Sequence, residues 1–194
     1  STKGYTAKDQ KGKLSLRASD TSEIHLQDVH LPKDAILPKS GGLKSPLMCL
    51  TQARYGIAWG GIGAAMACYD EALSYSKARI MFGKPIGQTQ LQQSRLADML
   101  TEITKAQLLT LQLGRLKDKG TLTPDQVSLA KRNNINMACE AAREARRLLG
   151  ANGILAEYHS MRHMANLESV YTYEGTHDMH TLILGQAVTG LPAF

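Results

Sequence analysis

The segment of this 194-residue chain best suited to acid–base chemistry is Tyr171-Thr172-Tyr173-Glu174-Gly175-Thr176-His177-Asp178. It sets one carboxylate, Glu174, beside a glycine between two helix-like stretches. Glycine opens the helix there and lets another group come close to the backbone. A carboxylate held against an apolar ligand loses solvation, which favours uptake of a proton and suits it to general-base work. Residue chemistry alone leaves this open, because a Glu-Gly pair also ends ordinary helices.

The six histidines raise a second chemistry. His159 and His163 lie one helical turn apart, His177 and His180 nearly so, and Glu174-Gly175-Thr176-His177 has the Glu-x-x-His spacing of carboxylate-bridged di-iron bundles. That site needs a second such pair and two more glutamates from facing helices, and the chain offers one pair with a glycine inside it. No metal site is expected, and the histidines read as hydrogen-bonding or surface residues. Gly60-Gly61-Ile62-Gly63 lacks both the GxGxxG spacing and a preceding strand, which excludes a dinucleotide loop. Gly150-Ala151-Asn152-Gly153 reads either as a helix exit or as a backbone cradle for a phosphate. Arg54, at the head of an apolar stretch, and Arg79 to Pro85 read equally as surface and packing or as anchors for an anionic ligand.

To position these groups, the sequence must first build a core, and its length suffices for one large domain or one domain plus part of another. Its hydrophobic share of 43% and charged share of 21% are those of a globular protein. The net charge of +6 is scattered, with little aromatic interleaving, so nucleic acid is not an expected partner. Cys49, Cys68 and Cys139 are odd in number and far apart, which indicates buried thiols of a reducing compartment. The longest apolar run, Tyr55 to Cys68, has 14 residues and is too short to span a membrane. No signal peptide is visible, and the absence of an initiator Met leaves room for a lost leader.

Period-two apolar residues over Lys13–Ser19 and Glu23–Val29, bounded by Asp20, Pro32 and Pro38, predict two or three short strands. So few strands cannot stand alone, so residues 1–42 are expected to be the end of a β domain plus a linker at Lys39-Ser40-Gly41-Gly42. Residues 43–194 are expected to form a helical bundle. Helices are predicted from about Leu47 to Ile80 and Gln88 to Asp118, and from a cap at Thr123 to Leu149. Shorter ones follow at about 160–170 and 176–189. Gly56 with Gly60, and Trp59 with Gly63, are placed to let another helix pack closely, and Phe82–Pro85 is expected to be a loop. The fold class is therefore mainly α, a four-helix-type bundle preceded by a few strands.

Taken in order, these pieces resemble the acyl-CoA dehydrogenase family over essentially the whole chain. Arg17-x-Ser19-x-Thr21, Asp28-Val29 and Pro32 are similar to the closing strands of its middle β domain. Arg79-x-x-Phe82-Gly83, Gln90, Gly150-x-Asn152-Gly153 and Tyr173-Glu174-Gly175-Thr176 fall in the order of its C-terminal bundle. Within the family, Ala53 to Gly60, Leu96 to Thr104 and Thr172 to Asp178 resemble the glutaryl-CoA dehydrogenases most.

The resemblance implies FAD as cofactor and Glu174 as the base that removes the proton next to the thioester. The backbone N–H of Glu174 would then be one donor to the thioester carbonyl. It implies that Thr176 and Asp178 touch FAD, and that Arg79, Phe82 and Gln90 reach the FAD of a neighbouring subunit. The turn of Gly150, Asn152 and Gly153 would lie near the pyrophosphate. Arg54, Tyr173 and Gly175 would shape the acyl-CoA site.

It further implies a homotetramer, decarboxylation of glutaryl-CoA to crotonyl-CoA, and electron-transfer flavoprotein as partner. The location implied is the mitochondrial matrix in a eukaryote or the cytoplasm in a bacterium. Two positions depart from the family pattern: Ala151 stands where glycine is common, and Met81 where many members have threonine. The upstream domains that complete the site are not in this sequence, so the chain is not expected to be active alone. Two other readings remain: a short-chain acyl-CoA oxidase, and a helical metal-binding or oligomerisation module without redox chemistry.

Overall fold

A computed structural model describes residues 2–193. Its core is built on three long helices: α1 (Lys44–Ala78), α2 (Gln90–Asp118) and α3 (Pro124–Leu148). Two shorter ones, α4 (Ser160–Thr172) and α5 (His177–Thr189), follow. Helix α3 packs against all four of the others, most extensively against α1. The reason lies in small residues: Ala58, Gly61, Ala65 and Ala72 recur at helical spacing on α1, and Ala130, Ala138, Ala141 and Ala145 on α3. These faces bring the two backbones close, while Ile62, Met99, Ile103, Leu148 and Leu167 fill the core around them. Each fully buried Leu or Ile contributes roughly 1.5–3 kcal/mol.

The helix limits lie within three residues of those expected, and the start of α3 is as read. The Thr123 N–H donates to Gln126 Oε1 at 3.1 Å, and Pro124 occupies the first turn. At its far end Gly150 takes φ +61, the left-handed exit glycine allows. A buried polar hub joins the three long helices: Asn134 Nδ2 of α3 donates to Ala58 O of α1 at 3.2 Å and to Thr110 Oγ1 of α2 at 2.6 Å. Helix α4 is capped from outside its own sequence. The Glu71 carboxylate of α1 accepts from the N–H groups of His159 and Ser160 at 2.7 and 2.8 Å, and from Ser160 Oγ. Burial opposes ionisation of Glu71, but these hydrogen bonds outweigh it and hold the carboxyl below its usual range.

Several expectations are corrected. Lys13–Ser19 is not a strand; the strands are β1 (Tyr5–Asp9) and β2 (Ser22–Leu26), paired antiparallel with Tyr5 opposite Leu26. Leu16 sits at φ +48, which no strand accommodates, and its N–H is drawn to Asn166 Oδ1 of α4 at 2.7 Å. The segment thus wraps onto the bundle. Phe82–Pro85 is not a plain loop: β3 (Ile80–Met81) and β4 (Lys84–Pro85) form a two-residue hairpin. Phe82 and Gly83 at its tip both take positive φ, as such tight turns require. The close helix approach uses Gly61, where a Cβ would lie 2.6 Å from Ile135 Cδ1 and 3.3 Å from Asn134 O. Gly56, Gly60 and Gly63 face open space instead.

Gly153 shows the sharpest constraint, since a Cβ there would lie 2.3 Å from the Arg146 carbonyl oxygen. Gly153→Ala is therefore expected to destabilise the bundle by about 2–3 kcal/mol through overpacking against backbone. Gly56→Ala, on an exposed turn of α1, is expected to stabilise it by about 0.5–1 kcal/mol. Urea unfolding of both variants checks the pair, and equal shifts would contradict this packing.

Candidate functional site

Helix α4 ends at Thr172 and α5 begins at His177, so the chain turns within Tyr173-Glu174-Gly175-Thr176. Tyr173 closes α4 by donating its N–H to Ser169 O at 2.8 Å. Thr176 opens α5, its Oγ1 accepting from the Met179 N–H at 3.1 Å. Asp178 lies in the first turn of α5, where a negative charge complements the helix dipole. Between these caps Glu174 takes φ +59 and Gly175 φ +92. The left-handed region costs a non-glycine residue roughly 1–2 kcal/mol, so the surrounding structure must hold Glu174 there.

Three helices do so. Arg54 of α1 donates Nε–H to the Glu174 carbonyl at 2.6 Å. Lys131 of α3, 1% exposed, donates Nζ–H to the Gly175 carbonyl at 2.9 Å. His180 of α5, fully buried, packs its ring against Gly175. A Cβ on Gly175 would lie 3.0 Å from His180 Nε2 and 3.2 Å from Arg54 Nη2, so only glycine fits. Both peptide carbonyls are thereby committed inward. Glu174 Oε2 is buried yet has no hydrogen-bond partner among the described residues.

An apolar groove of about 320 Å³ runs along α1 and α4 to Tyr173, walled by Leu16, Ile57, Val170 and Tyr173. Gly60 and Gly63 form open floor in it. Burial, then the neighbouring Glu174 charge, pushes the Tyr173 phenol above its usual range and keeps it neutral. The turn also breaks the Glu174–His177 spacing, so the two do not share a helical face; His177 stacks on Tyr171 with ring centroids 4.5 Å apart.

The remaining candidates lie elsewhere. Arg79 caps the far end of α1, about 37 Å from Arg54 at helical rise. Phe82 projects from the hairpin tip 96% exposed, and Gln90 opens α2 nearby. Asn152 Nδ2 donates to Tyr75 OH at 2.9 Å, which ties the Gly150–Gly153 turn to that same end. The structure thus brings Arg54, Tyr173, Glu174, Gly175 and Thr176 together and sets Arg79, Phe82, Gln90, Gly150, Asn152 and Gly153 apart. Among the described residues no group of three or more His, Cys, Asp or Glu is placed to hold a metal, and no helix is long and apolar enough to cross a membrane.

Residues 40–189 match the family described as acyl-CoA dehydrogenase, C-terminal domain. The chain belongs to the acyl-CoA dehydrogenase family. It is 36% identical to glutaryl-CoA dehydrogenase of Desulfococcus multivorans over 174 residues, covering 89% of this chain and 45% of that protein. A crystal structure of glutaryl-CoA dehydrogenase from Mycobacterium smegmatis superposes with TM-score 0.98 at 56% identity. A second from that organism, in complex with FADH2, does so with TM-score 0.98 at 49% identity. Each covers all of this chain and 50% of the other. The chain therefore spans about half the length of the acyl-CoA dehydrogenases it matches.

Lys131 was not among the residues singled out from sequence, and His180, read there as a hydrogen-bonding or surface histidine, is instead fully buried with neither ring nitrogen partnered among the described residues. The available signal was phase: Lys131 and Asn134 are polar yet fall on the stripe of Val127, Ala130, Ile135 and Ala138. His180 carries its own test. Burial first, then Lys131 and Arg54, lowers its pKa to about 4. The unfolded chain, with histidine near about 6.5, binds the proton earlier, so stability is complete above that value and lost as pH falls through this window. From pH 7.5 to 5 this amounts to about 2 kcal/mol. Denaturant unfolding at both pH values is expected to show this loss in the parent and a smaller one in His180→Leu. An equal loss in the two would contradict it.

Proposed function

We propose that this chain is the C-terminal part of an FAD-dependent acyl-CoA dehydrogenase in which Glu174 is the catalytic base. Residues 1–42 close its middle β domain and residues 43–194 form its helical domain. The observation that carries the reading is the buried, unpartnered Glu174 Oε2 on a turn whose carbonyls are already engaged. A carboxylate so placed is free to accept a proton from carbon, and the apolar groove that reaches the adjacent Tyr173 suits an acyl chain. The Glu174 N–H has no acceptor among the described residues, which leaves it for the thioester oxygen, where negative charge develops. Tyr173, neutral, walls the acyl chain, and Gly175 keeps the turn open beside Arg54 and His180.

The chain's residues fit FAD in two places. The Thr176 hydroxyl keeps a proton to donate after accepting from Met179, and Asp178 is exposed beside it. At the far end Phe82 holds a left-handed backbone and an exposed ring that gains nothing from internal packing, with Arg79 and Gln90 exposed around it. Asn152 and the left-handed Gly150 complete that end, while Gly153 lets their turn close on α3. The distance along α1 means that one cofactor meets both sets only when two chains share it, which supports an oligomer, taken in this reading to be a homotetramer. FAD, when bound, supplies the acceptor for the two electrons that leave the β-carbon.

The substrate of this reading is glutaryl-CoA, oxidised and decarboxylated to crotonyl-CoA, with electrons leaving to electron-transfer flavoprotein. Support comes from the likeness to glutaryl-CoA dehydrogenases in fold and in the phrases around Arg54, Asp98 and Glu174. The setting is the mitochondrial matrix in a eukaryote or the cytoplasm in a bacterium. In the flavin-loaded full-length protein, Glu174→Gln is expected to retain flavin and lose turnover about 10³-fold or more. The parent is expected to release CO2 from glutaryl-CoA with a dye acceptor and to turn over little with oxygen. Near-parental turnover in the variant would overturn the base; oxidation of butyryl-CoA without activity on glutaryl-CoA would overturn the substrate.

A further inference from the structure

Lys131 helps to hold the turn, yet it is a buried cation where a neutral donor would serve the same carbonyl. We propose that Lys131 is a positioning residue: its ammonium holds the Gly175 carbonyl and thereby fixes the Glu174 carboxylate for proton transfer. The proposal rests on Glu174 being the base.

Three observations carry it. Lys131 is 1% exposed in the middle of α3, and among the described residues its one hydrogen bond is to Gly175 O at 2.9 Å. Desolvating an ammonium is costly, and a single neutral carbonyl does not offset it. A second cation, Arg54, grips the adjacent carbonyl, and the two repel. A turn needing only mechanical support would be capped by neutral groups, as Thr176 and Tyr173 already do on either side. The carboxylate that acts on Lys131 is Glu174, which is not ion-paired with it among the described residues and attracts it through the protein interior. The arrangement commits both carbonyls to cations, while Glu174 Oε2 has no partner among the described residues. Strain at Glu174, φ +59, shows that this orientation has to be enforced.

The ammonium is also the part of the clamp that can titrate. Its charged and titratable neighbours are Arg54 of α1, Glu174 of the turn, His177 and His180 of α5, and Cys139 on its own helix. Burial first, then Arg54, brings its pKa down to about 8, against the opposing pull of Glu174 and Cys139. Loss of the proton weakens the hold on Gly175, so the basic limb of kcat belongs to Lys131. Arginine stays charged throughout and shifts that limb.

The experiment uses the flavin-loaded full-length protein with Lys131→Met, Lys131→Arg and, as control, Glu174→Gln. Lys131→Met is expected to keep flavin and a cooperative melt while kcat falls about 100-fold and KM changes less than about threefold. Lys131→Arg is expected to recover kcat to within about tenfold of the parent and to lack the activity decline expected of the parent above about pH 8. A kcat in Lys131→Met that falls only with the folded fraction, or the same basic limb in Lys131→Arg and parent, would overturn the proposal. If Lys131→Met does not fold, the pH profile of Lys131→Arg decides. Turnover surviving in Glu174→Gln would instead sink the assignment of the base, whatever the lysine variants do.

Discussion

Two backbone carbonyls, those of Glu174 and Gly175, are turned inward onto cations, and the character of the site follows from that commitment. In a trans peptide the N–H points opposite to the carbonyl, so fixing both oxygens inward orients the amides of the turn as well. Glu174 is held in a backbone region it would not choose, and its carboxylate is left with an unmatched oxygen. An unpartnered buried carboxylate oxygen is destabilising in a purely structural role. It is tolerable where a substrate supplies the missing partner.

The bundle exists in the form needed to make that turn. Arg54, Lys131 and His180 come from α1, α3 and α5, and they meet only because small residues let α1 and α3 approach closely and because α3 touches every other helix. Asn134, one turn along α3 from Lys131, fixes the register of α3 against α1 and α2 through Ala58 and Thr110. Glu71 sets where α4 begins, and thus where it must end at Tyr173. Packing, polar register and helix capping therefore converge on the same few ångströms. The opposite end of α1 carries a different kind of surface, an exposed hairpin tip with Phe82 at its turn.

Much of this was legible in the residues. Thr123-Pro124 with Gln126 marks the start of α3, Gly150 its end, and the apolar period sets α2, because each depends on local chain chemistry. Glu174-Gly175 is visible as a break with a carboxylate for the same reason. The strands were less legible: Lys13–Ser19 alternates like a strand, but the Asn166 side chain from more than a hundred residues away claims the Leu16 N–H. Lys131-Arg132-Asn133-Asn134 reads as a solvated face, although Lys131 and Asn134 are buried. Their phase on the apolar stripe of α3 marks them, but the groups that α1 and α5 place opposite them are not carried by local sequence. Resemblance pointed to the family and to Glu174 as the proposed base; the cations that hold its turn are visible only in the three-dimensional arrangement.

The proposed role of the Glu174 carboxylate is to take a proton from the carbon next to a thioester. The most direct measurement uses the flavin-loaded full-length protein in D2O with an acyl-CoA that carries sulfur in place of its β-carbon, so that the α-proton can leave but no oxidation follows. Proton NMR should show the α-hydrogen signal washing out with the parent and persisting with Glu174→Gln. Equal exchange in both proteins would contradict the claim.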